Sequence, residues 1–537
     1  MAVVALTLLV GGCGGQAPSA VRPGGHTFID VVPEIPADLD ETGTPDPAQN
    51  EILPSWSSEL VRPRGGRPGP DATLPAADAV VPYLATSWRQ SPNGDYTFQL
   101  RRGVRGATGD PFTAADVKWS IDREFATSPV APFLFSLANV DASDPVTILG
   151  PFTVRINVTA PSPFLLGVLS WFDEGIYDRR AYLAHATATD PWAEQWGATH
   201  SATFGAYSVR GFLAGRRIVL SANPGSWVHP YYTTVEIEQI QDSATRLAAV
   251  LDGTADHTTD LTWGDFLTAT QFGPVDDVSA TILQTGPRVE SWLLDLHSGP
   301  FANPLVRQAL DIAVNRGELN ATGYDGYATP DTLALPAIYG QPQTTGPSQA
   351  VARRLLARAG YRHGLTLHID IDPDIVDEGI SPQLQVLTNQ LAEVGITLVP
   401  TTVANTNQML SLEANHMVPS TIEDIAPLIG GGGFLLLQDD DSALDNVSPA
   451  AEDRYDDPAL LALLQAMRRT PNGPAYRSLL ARATAIVDRD LPAVNLLATP
   501  VQNVTNANIT GYAAHAVPVT YYELLHPLHR STRHHRR

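Results

Sequence analysis

The chain has 537 residues, an apolar content of 43% and a formal net charge of −23 at pH 7. This length predicts three or four domain-sized units, and the acidic balance argues against nucleic-acid binding, which needs a basic face. After the N-terminal segment, no stretch approaches the ~18 consecutive apolar residues of a membrane span. Lys118 is the only lysine, which is typical of a high-GC genome such as an actinobacterial one.

The N-terminus carries a short apolar run that ends at the only cysteine of the chain. Residues 1–12 predict a signal peptide, because the run from Ala2 to Val10 is followed by two glycines and Cys13. We expect cleavage before Cys13 and palmitate-type lipid attachment there, which would anchor the protein to the extracytoplasmic face of the cell membrane. A buried core cysteine is the alternative. Residues 13–25, which are small and polar, predict a flexible tether.

Two segments open the body of the chain. Residues from His26 to Val32 predict a first strand. The stretch from Arg62 to Pro70 is rich in proline, glycine and arginine, and it predicts an exposed loop. Its arginines are expected in a solvated turn rather than in an anion site.

The segment from Ala85 to Glu124 predicts a strand, a turn, a second strand, a loop and a capped helix. Alternation from Tyr96 to Leu100 makes one face of the second strand apolar. Thr113 followed by Asp116 predicts a capping box at the start of the helix.

Later segments add further helices and strands. The residues from Ala244 to Gly253 predict an amphipathic helix ended by glycine. Asn303 and Pro304 predict the start of another helix. Helices and strands alternate after Ser291, which predicts parallel pairing in an α/β lobe.

Together these segments resemble the family-5 extracytoplasmic solute-binding proteins, the peptide- and nickel-binding receptors of ATP-driven importers. The run from Leu84 to Ser120 is similar to the family pattern L-A-x-S-W, Y-T-F-x-L-R-x-G-V and P-F-T-A-x-D-V. It departs from Arg105 to Thr108, where the family usually has an aromatic residue. The run from Leu305 to Arg316 is similar to a family helix that contains V-R-q-A-l. The resemblance extends from about His26 to Tyr522.

The resemblance implies an α/β fold of two lobes, a periplasmic-binding-protein-like fold of type II, class C, with an extra inserted domain. The implied divisions are domain I (26–55, 200–290 and 490–525), domain II (56–199), domain III (291–489) and a disordered basic tail (526–537).

The resemblance also implies a monomeric receptor that passes a peptide-like solute to an ABC permease, without catalysis, cofactor or bound metal. Peptide-binding members use an aspartate in a W-x-x-D-Y-x-D-P segment for the solute ammonium. In the run from Thr421 to Pro427, Asp424 matches that aspartate, whereas the tryptophan and the second aspartate are missing. Trp263 and Trp292 are expected to line the cleft, with a role in the core as the alternative.

A secreted hydrolase is disfavoured, because the sequence contains no nucleophile motif, no zinc-protease motif and no phosphate loop. The acidic run from Asp439 to Asp441 is expected to be a solvated loop rather than a calcium site. A non-transporting regulator or glycolipid-binding scaffold of the same fold remains the alternative function, favoured by the incomplete ammonium motif and by the glycines from Gly430 to Gly433.

Overall fold

The coordinates are a computed structural model of the whole chain. The structure describes residues 26–40, 52–69, 79–128, 131–171, 175–273, 277–297, 299–331, 346–372, 380–404, 408–409, 411–412, 417–425, 457–515 and 519–528, with the side chains of 284–287, 380–381 and 423–425 outside that description. Cys13, the acidic run 439–441, the glycines 430–433 and the tail beyond 528 lie outside the described residues.

The strands, in chain order, are β1 Thr27–Val32, β2 Val61–Pro63, β3 Val80–Pro82, β4 Ala85–Gln90, β5 Tyr96–Leu100, β6 Val146–Gly150, β7 Thr153–Ile156, β8 Tyr207–Leu213, β9 Arg217–Ala222, β10 Thr234–Gln239, β11 His257–Thr258, β12 Val278–Leu294, β13 Thr329–Pro330, β14 Leu365–Ile371, β15 Ile396–Thr402, β16 Ser420–Ile425, β17 Ala493–Asn506, β18 Ile509–Thr510 and β19 His526–Pro527.

The α-helices, in chain order, are α1 Ala114–Thr127, α2 Ala131–Leu137, α3 Leu165–Val168, α4 Arg179–Leu183, α5 Glu194–Gly197, α6 Ser243–Leu251, α7 Trp263–Thr270, α8 Pro304–Ala313, α9 Arg316–Gly323, α10 Gln349–Arg358, α11 Ile380–Glu393, α12 Pro458–Met467 and α13 Pro474–Asp490. Short 3-10 turns lie at Leu53–Ser55, Gly299–Ala302 and Tyr522–Leu524.

One large sheet passes through both lobes. Its strand order is β15-β14-β16-β12-β17-β11-β1-β10-β9-β8, with β13 paired to β17. In the first lobe β1 is parallel to β10 and β11, and β9 joins β8 and β10 in antiparallel pairs. In the second lobe β14 is parallel to β15 and to β16. The parallel pairing predicted after Ser291 is therefore present.

The inserted domain contains a separate four-stranded antiparallel sheet with the order β4-β5-β7-β6. The predicted hairpin and helix are both present, since β4 pairs with β5 and α1 begins after Thr113. The carboxylate of Asp116 accepts a hydrogen bond from the backbone N–H of Thr113 at 2.7 Å, as a capping box requires. Val117 and Ile121 are buried on one side of α1, which joins it to the core of this domain.

Two antiparallel strands, β12 and β17, belong to both lobes. From Val278 to Arg288, β12 pairs only with β17. From Val289 to Leu294, it lies between β17 and β16. The pairing of β12 with β17 shifts register between Ile282 and Gln284 and again between Thr285 and Arg288. Bulges bend and twist a strand, so the two lobes are joined through an irregular section of these strands.

The hairpin of α12 and α13 packs against the inserted domain. Arg468 Nη2 donates to the carbonyl oxygen of Ser136 at 2.5 Å, and Asn139 Nδ2 donates to the carbonyl oxygen of Arg468 at 2.9 Å. The ring of Tyr476 packs edge-on against Phe164. This hairpin falls within the predicted domain III, whose boundaries stay a prediction.

Candidate solute-binding site

Asp424, the residue predicted to bind the solute ammonium, lies in β16. Its position is directly opposite Glu290 of β12 in the antiparallel register, and its side chain is outside the described part of the chain. Directly opposite positions have Cβ atoms about 4.5–5.5 Å apart, and like charges there are unfavourable. A cation or several hydrogen-bond donors beside this pair would remove that cost.

Glu290 is a residue that the sequence reasoning missed. Its side chain is 1% exposed. One carboxylate oxygen, Oε1, accepts a hydrogen bond from the hydroxyl of Tyr324 in the turn after α9 and a long one, at 3.4 Å, from Nε2 of Gln383 in α11. A buried carboxylate needs such donors. The sequence signal was a single acidic residue within the apolar run from Val289 to Leu294.

Trp263 begins α7, after Thr262, whose Oγ1 accepts a hydrogen bond from the backbone of Asp265 at 3.1 Å. The indole is 7% exposed, packs edge-on against Tyr324 with 5.0 Å between ring centroids, and stacks on Tyr327 at 5.9 Å. The hydroxyl of Tyr324 also donates to the buried carboxylate of Glu290 in β12. The contact between Trp263 and Tyr324 therefore connects α7 to Glu290.

Trp292 lies in β12 and is fully buried, with its ring edge-on to Phe301. The structure therefore places both Trp263 and Trp292 in the core that contains α7, α8 and the second-lobe sheet. This is the core role that the sequence left open beside the cleft role. Contact of either tryptophan with a solute stays a prediction.

A further acidic residue, Asp370, lies on β14, the strand next to β16. Asp370 of β14 pairs in register with Thr421 of β16. Burial raises the pKa of Asp370 above its ordinary value, although His368 acts in the opposite direction. Thr421 and Asp424 are three residues apart on β16, so the position of Asp370 is on the opposite face of the sheet from positions 290 and 424.

A small cavity lies beside Gln383. It is lined by Leu319, Gln383, Leu384, Leu387, Ile422 and Leu496. Its space holds no more than about one water molecule. This cavity is therefore too small to be the solute site.

In the part of the chain that the structure describes, no helix has the length and apolar character needed to cross a membrane. No group of three or more histidine, cysteine, aspartate or glutamate side chains in the same ranges is arranged to hold a metal ion.

The middle of the chain matches a known protein family. Residues 79–427 match the family model "Bacterial extracellular solute-binding proteins, family 5 Middle". The glutathione-binding protein GsiB of Escherichia coli O6:K15:H31 is 28% identical over 339 residues, which cover 58% of this chain and 59% of that relative. The aligned region thus spans about three fifths of the length of this curated relative.

Solved structures match over nearly the whole chain. The periplasmic binding protein DppA from Helicobacter pylori, in complex with the peptide STSA, has a TM-score of 0.76 and 19% identity, covering 94% of this chain and 98% of that chain. NikA from Staphylococcus aureus, in complex with Ni(L-His)2, has a TM-score of 0.72 and 17% identity, covering 93% of this chain and 100% of that chain. These matches confirm the predicted two-lobed fold.

The named relatives are solute-binding proteins, and the family model covers well over half of the chain. The protein belongs to the bacterial extracellular solute-binding proteins of family 5.

Proposed function

We propose that this protein is the solute-capturing receptor of an ABC importer, held on the extracytoplasmic face of the cell membrane by a lipid on Cys13. The solute is peptide-like and carries an ammonium group. GsiB is named for glutathione binding, and the similar structure of DppA was solved with a bound peptide; both support this class of ligand. The short apolar run before Cys13 supports the lipid anchor.

The observation that carries the proposal is the pairing of Asp424 with Glu290 beside the strands that join the lobes. An ammonium enclosed between two lobes must meet an anionic partner, because an unpaired buried charge is prohibitively costly. Asp424 supplies that partner. Glu290 adds a second acidic group, which Tyr324 and Gln383 hold in position.

Binding is coupled to closure of the lobes about β12 and β17. Micromolar affinity corresponds to about −8 kcal/mol, and ordering of the two lobes takes up part of the gross contact energy. Trp263 of α7 contacts Tyr324 and Tyr327, so its fluorescence is a local probe of this movement.

The ammonium contact is tested by titrating the purified protein with glutathione and short peptides, each with a free and with an acetylated amine. Asp424→Asn should weaken binding of the free-amine forms at least tenfold, since hydrogen bonds to charged groups contribute about 1.5–3 kcal/mol. It should leave the acetylated forms unchanged. Glu393→Gln, an exposed change in α11 of the same lobe, is the matched control. Equal affinities of the wild type and Asp424→Asn for every free-amine probe would contradict this assignment.

The anchor is tested separately in cells. Metabolic labelling with a fatty-acid analogue should label the wild-type protein, and Cys13→Ser should remove both the label and the membrane association. A Cys13→Ser protein that stays in the membrane fraction would refute the anchor without affecting the solute site.

A further inference from the structure

The described chain enters the first lobe beside an exposed tyrosine. His26, the first residue that the structure describes, packs edge-on against Tyr231 with 4.2 Å between ring centroids, and Tyr231 is 43% exposed. Cys13 and His26 are 13 positions apart in the sequence, a length that spans at most about 45 Å at about 3.3–3.6 Å per residue. With the proposed lipid on Cys13, the surface around Tyr231 is therefore within reach of the membrane.

The loop between β9 and β10 is attached to the segment that follows β5 in the inserted domain. The backbone N–H of Arg105 donates to the carbonyl oxygen of Gly225 at 2.9 Å, and Nδ2 of Asn223 donates to the carbonyl oxygen of Arg105 at 3.1 Å. The guanidinium of Arg101 lies over the ring of Trp227, 4.5 Å from its centroid. The loop and this segment therefore form one continuous surface.

The hairpin of β6 and β7 extends this surface with apolar side chains. The guanidinium of Arg102 lies over the ring of Phe152, 5.0 Å from its centroid. In the tip of the hairpin just before that ring, Ile148 is 44% exposed and Leu149 is 52% exposed. Leu149 is the extra residue of the register shift between Ile148 and Gly150, and a bulge of this kind redirects a side chain. The hairpin tip therefore presents two aliphatic side chains to solvent.

The charge of these three segments differs from that of the chain as a whole. Residues 101–105, 148–152 and 227–231, which we call the basic face, contain three arginines and no aspartate or glutamate. The whole chain has 57 acidic and 34 basic residues. Tryptophan and tyrosine are enriched at the headgroup level of bilayers, and arginine is attracted to anionic lipids there. The composition and charge of the basic face therefore fit the surface of an anionic bilayer.

We propose that the basic face lies on the anionic surface of the membrane and holds the anchored receptor in one orientation. This inference rests on the lipid anchor of the proposed function and adds to it a second, reversible contact. The tether keeps the basic face at a high effective concentration near the lipid, so a contact that is weak by itself becomes populated. The apolar side chains enter the boundary between headgroups and acyl chains, and the arginines add an attraction that salt weakens.

The test places a dye on the basic face. Cys13 is the only cysteine of the chain, so with a lipid on Cys13 the new thiol of Leu149→Cys takes up the dye alone. The lipidated protein is reconstituted into vesicles of phosphatidylglycerol and phosphatidylcholine in equal amounts. Brominated acyl chains should quench the dye at least about twofold, because interfacial side chains reach the acyl boundary. Vesicles of phosphatidylcholine alone, or added salt, should reduce this quenching.

Leu213→Cys, labelled in the same way, is the matched control. Leu213 is an exposed leucine at 53%, and it pairs with Arg217 at the hairpin of β8 and β9. Arg217 pairs with Glu238, whereas the chain enters at the other end of β10, where Thr234 pairs with Thr27. The control dye therefore lies at the far end of the same sheet from the chain entry, and brominated lipids should leave it unquenched.

The arginines are tested in the Leu149→Cys protein. Arg102→Gln combined with Arg105→Gln, both exposed, should reduce the quenching in phosphatidylglycerol vesicles, and an unchanged circular dichroism spectrum should report that the variant is folded. Arg210→Gln combined with Arg216→Gln makes the same charge change at exposed positions in and after β8 and should leave the quenching unchanged.

The outcomes separate this inference from the proposed function. Equal quenching at positions 149 and 213, or none at either, refutes the membrane contact while the proposed function stands. A change in the dye at position 149 that follows protein concentration without vesicles shows contact with a second copy of the chain instead, and also refutes it. Two dyes on each Leu149→Cys chain, counted by mass spectrometry, show a free thiol at Cys13 and refute the anchor together with this inference.

Discussion

Replacing Arg62 with methionine tests how strongly a buried ion cluster attaches the C-terminal segment to the start of the inserted domain. Arg62 is 7% exposed, and its Nε donates to Glu59 at 3.0 Å. Nη1 donates to Glu523, and Nη2 donates to the carbonyl oxygen of Pro54 at 3.1 Å. The guanidinium also lies over the ring of Tyr83, 3.5 Å from its centroid.

The magnitude follows from what the substitution leaves behind. Removing one partner of a buried ion pair costs about 3–5 kcal/mol, because the remaining charge is buried without compensation. The lost cation–π contact adds about 1 kcal/mol. Burial already raises the pKa of Glu59 above its ordinary value, although Arg62 lowers it. We therefore expect Arg62→Met to reduce the free energy of unfolding by about 4–6 kcal/mol at pH 7, and by less at pH 5, where protonation relieves the buried carboxylate of Glu59.

The assay is urea unfolding followed by circular dichroism at both pH values. Arg210→Met, at an exposed position, is the control and should change stability by less than about 0.5 kcal/mol. Combining Arg62→Met with Glu59→Gln and Glu523→Gln removes all three charges and should recover much of the loss. A loss of the same size at pH 5 and pH 7, or no recovery in the triple variant, would show that charge burial is not the cause.

Three further outcomes are expected. Burial opposes the charge on His257, but Asp30, 2.9 Å away, and further hydrogen bonding raise its pKa above the ordinary 6.5. The stability that the charged His257 contributes is present below pH 6.5 and is lost as the pH rises through the folded-state pKa. The thermal stability of His257→Gln, measured as a function of pH, should therefore lack this loss. Trp292→Ala should cost about 3–5 kcal/mol in urea unfolding, because it opens a cavity in the core; a loss below 1 kcal/mol would contradict the packing. Gly65→Ala should reduce the free energy of unfolding by about 1–3 kcal/mol in urea unfolding, because a Cβ at this position would lie 2.8 Å from the Cβ of Ala513; an unchanged stability would contradict this close contact.

Local sequence patterns predicted the elements that depend on neighbouring residues. The alternation from Tyr96 to Leu100 and the capping pair of Thr113 and Asp116 gave the hairpin and helix of the inserted domain in their observed places. These features depend on side chains a few residues apart, so a window of sequence contains the whole cause. The same applies to the helix that starts after Asn303.

The candidate site was predictable only in part. The resemblance pointed to Asp424, but Glu290 was missed because its environment is made by strand pairing and by donors on two later helices. Periodicity also could not separate a core tryptophan from a cleft tryptophan, since both lie on an apolar face.

The sequence by itself determined the family, the alternation of helices and strands and the acidic character of the chain. Only the tertiary structure decided that the loop containing Arg64 and Arg67 is attached to Leu283, more than 200 residues away in the chain. The physical reason is that a loop's path depends on hydrogen-bond partners and close contacts supplied by distant segments, which local composition does not specify.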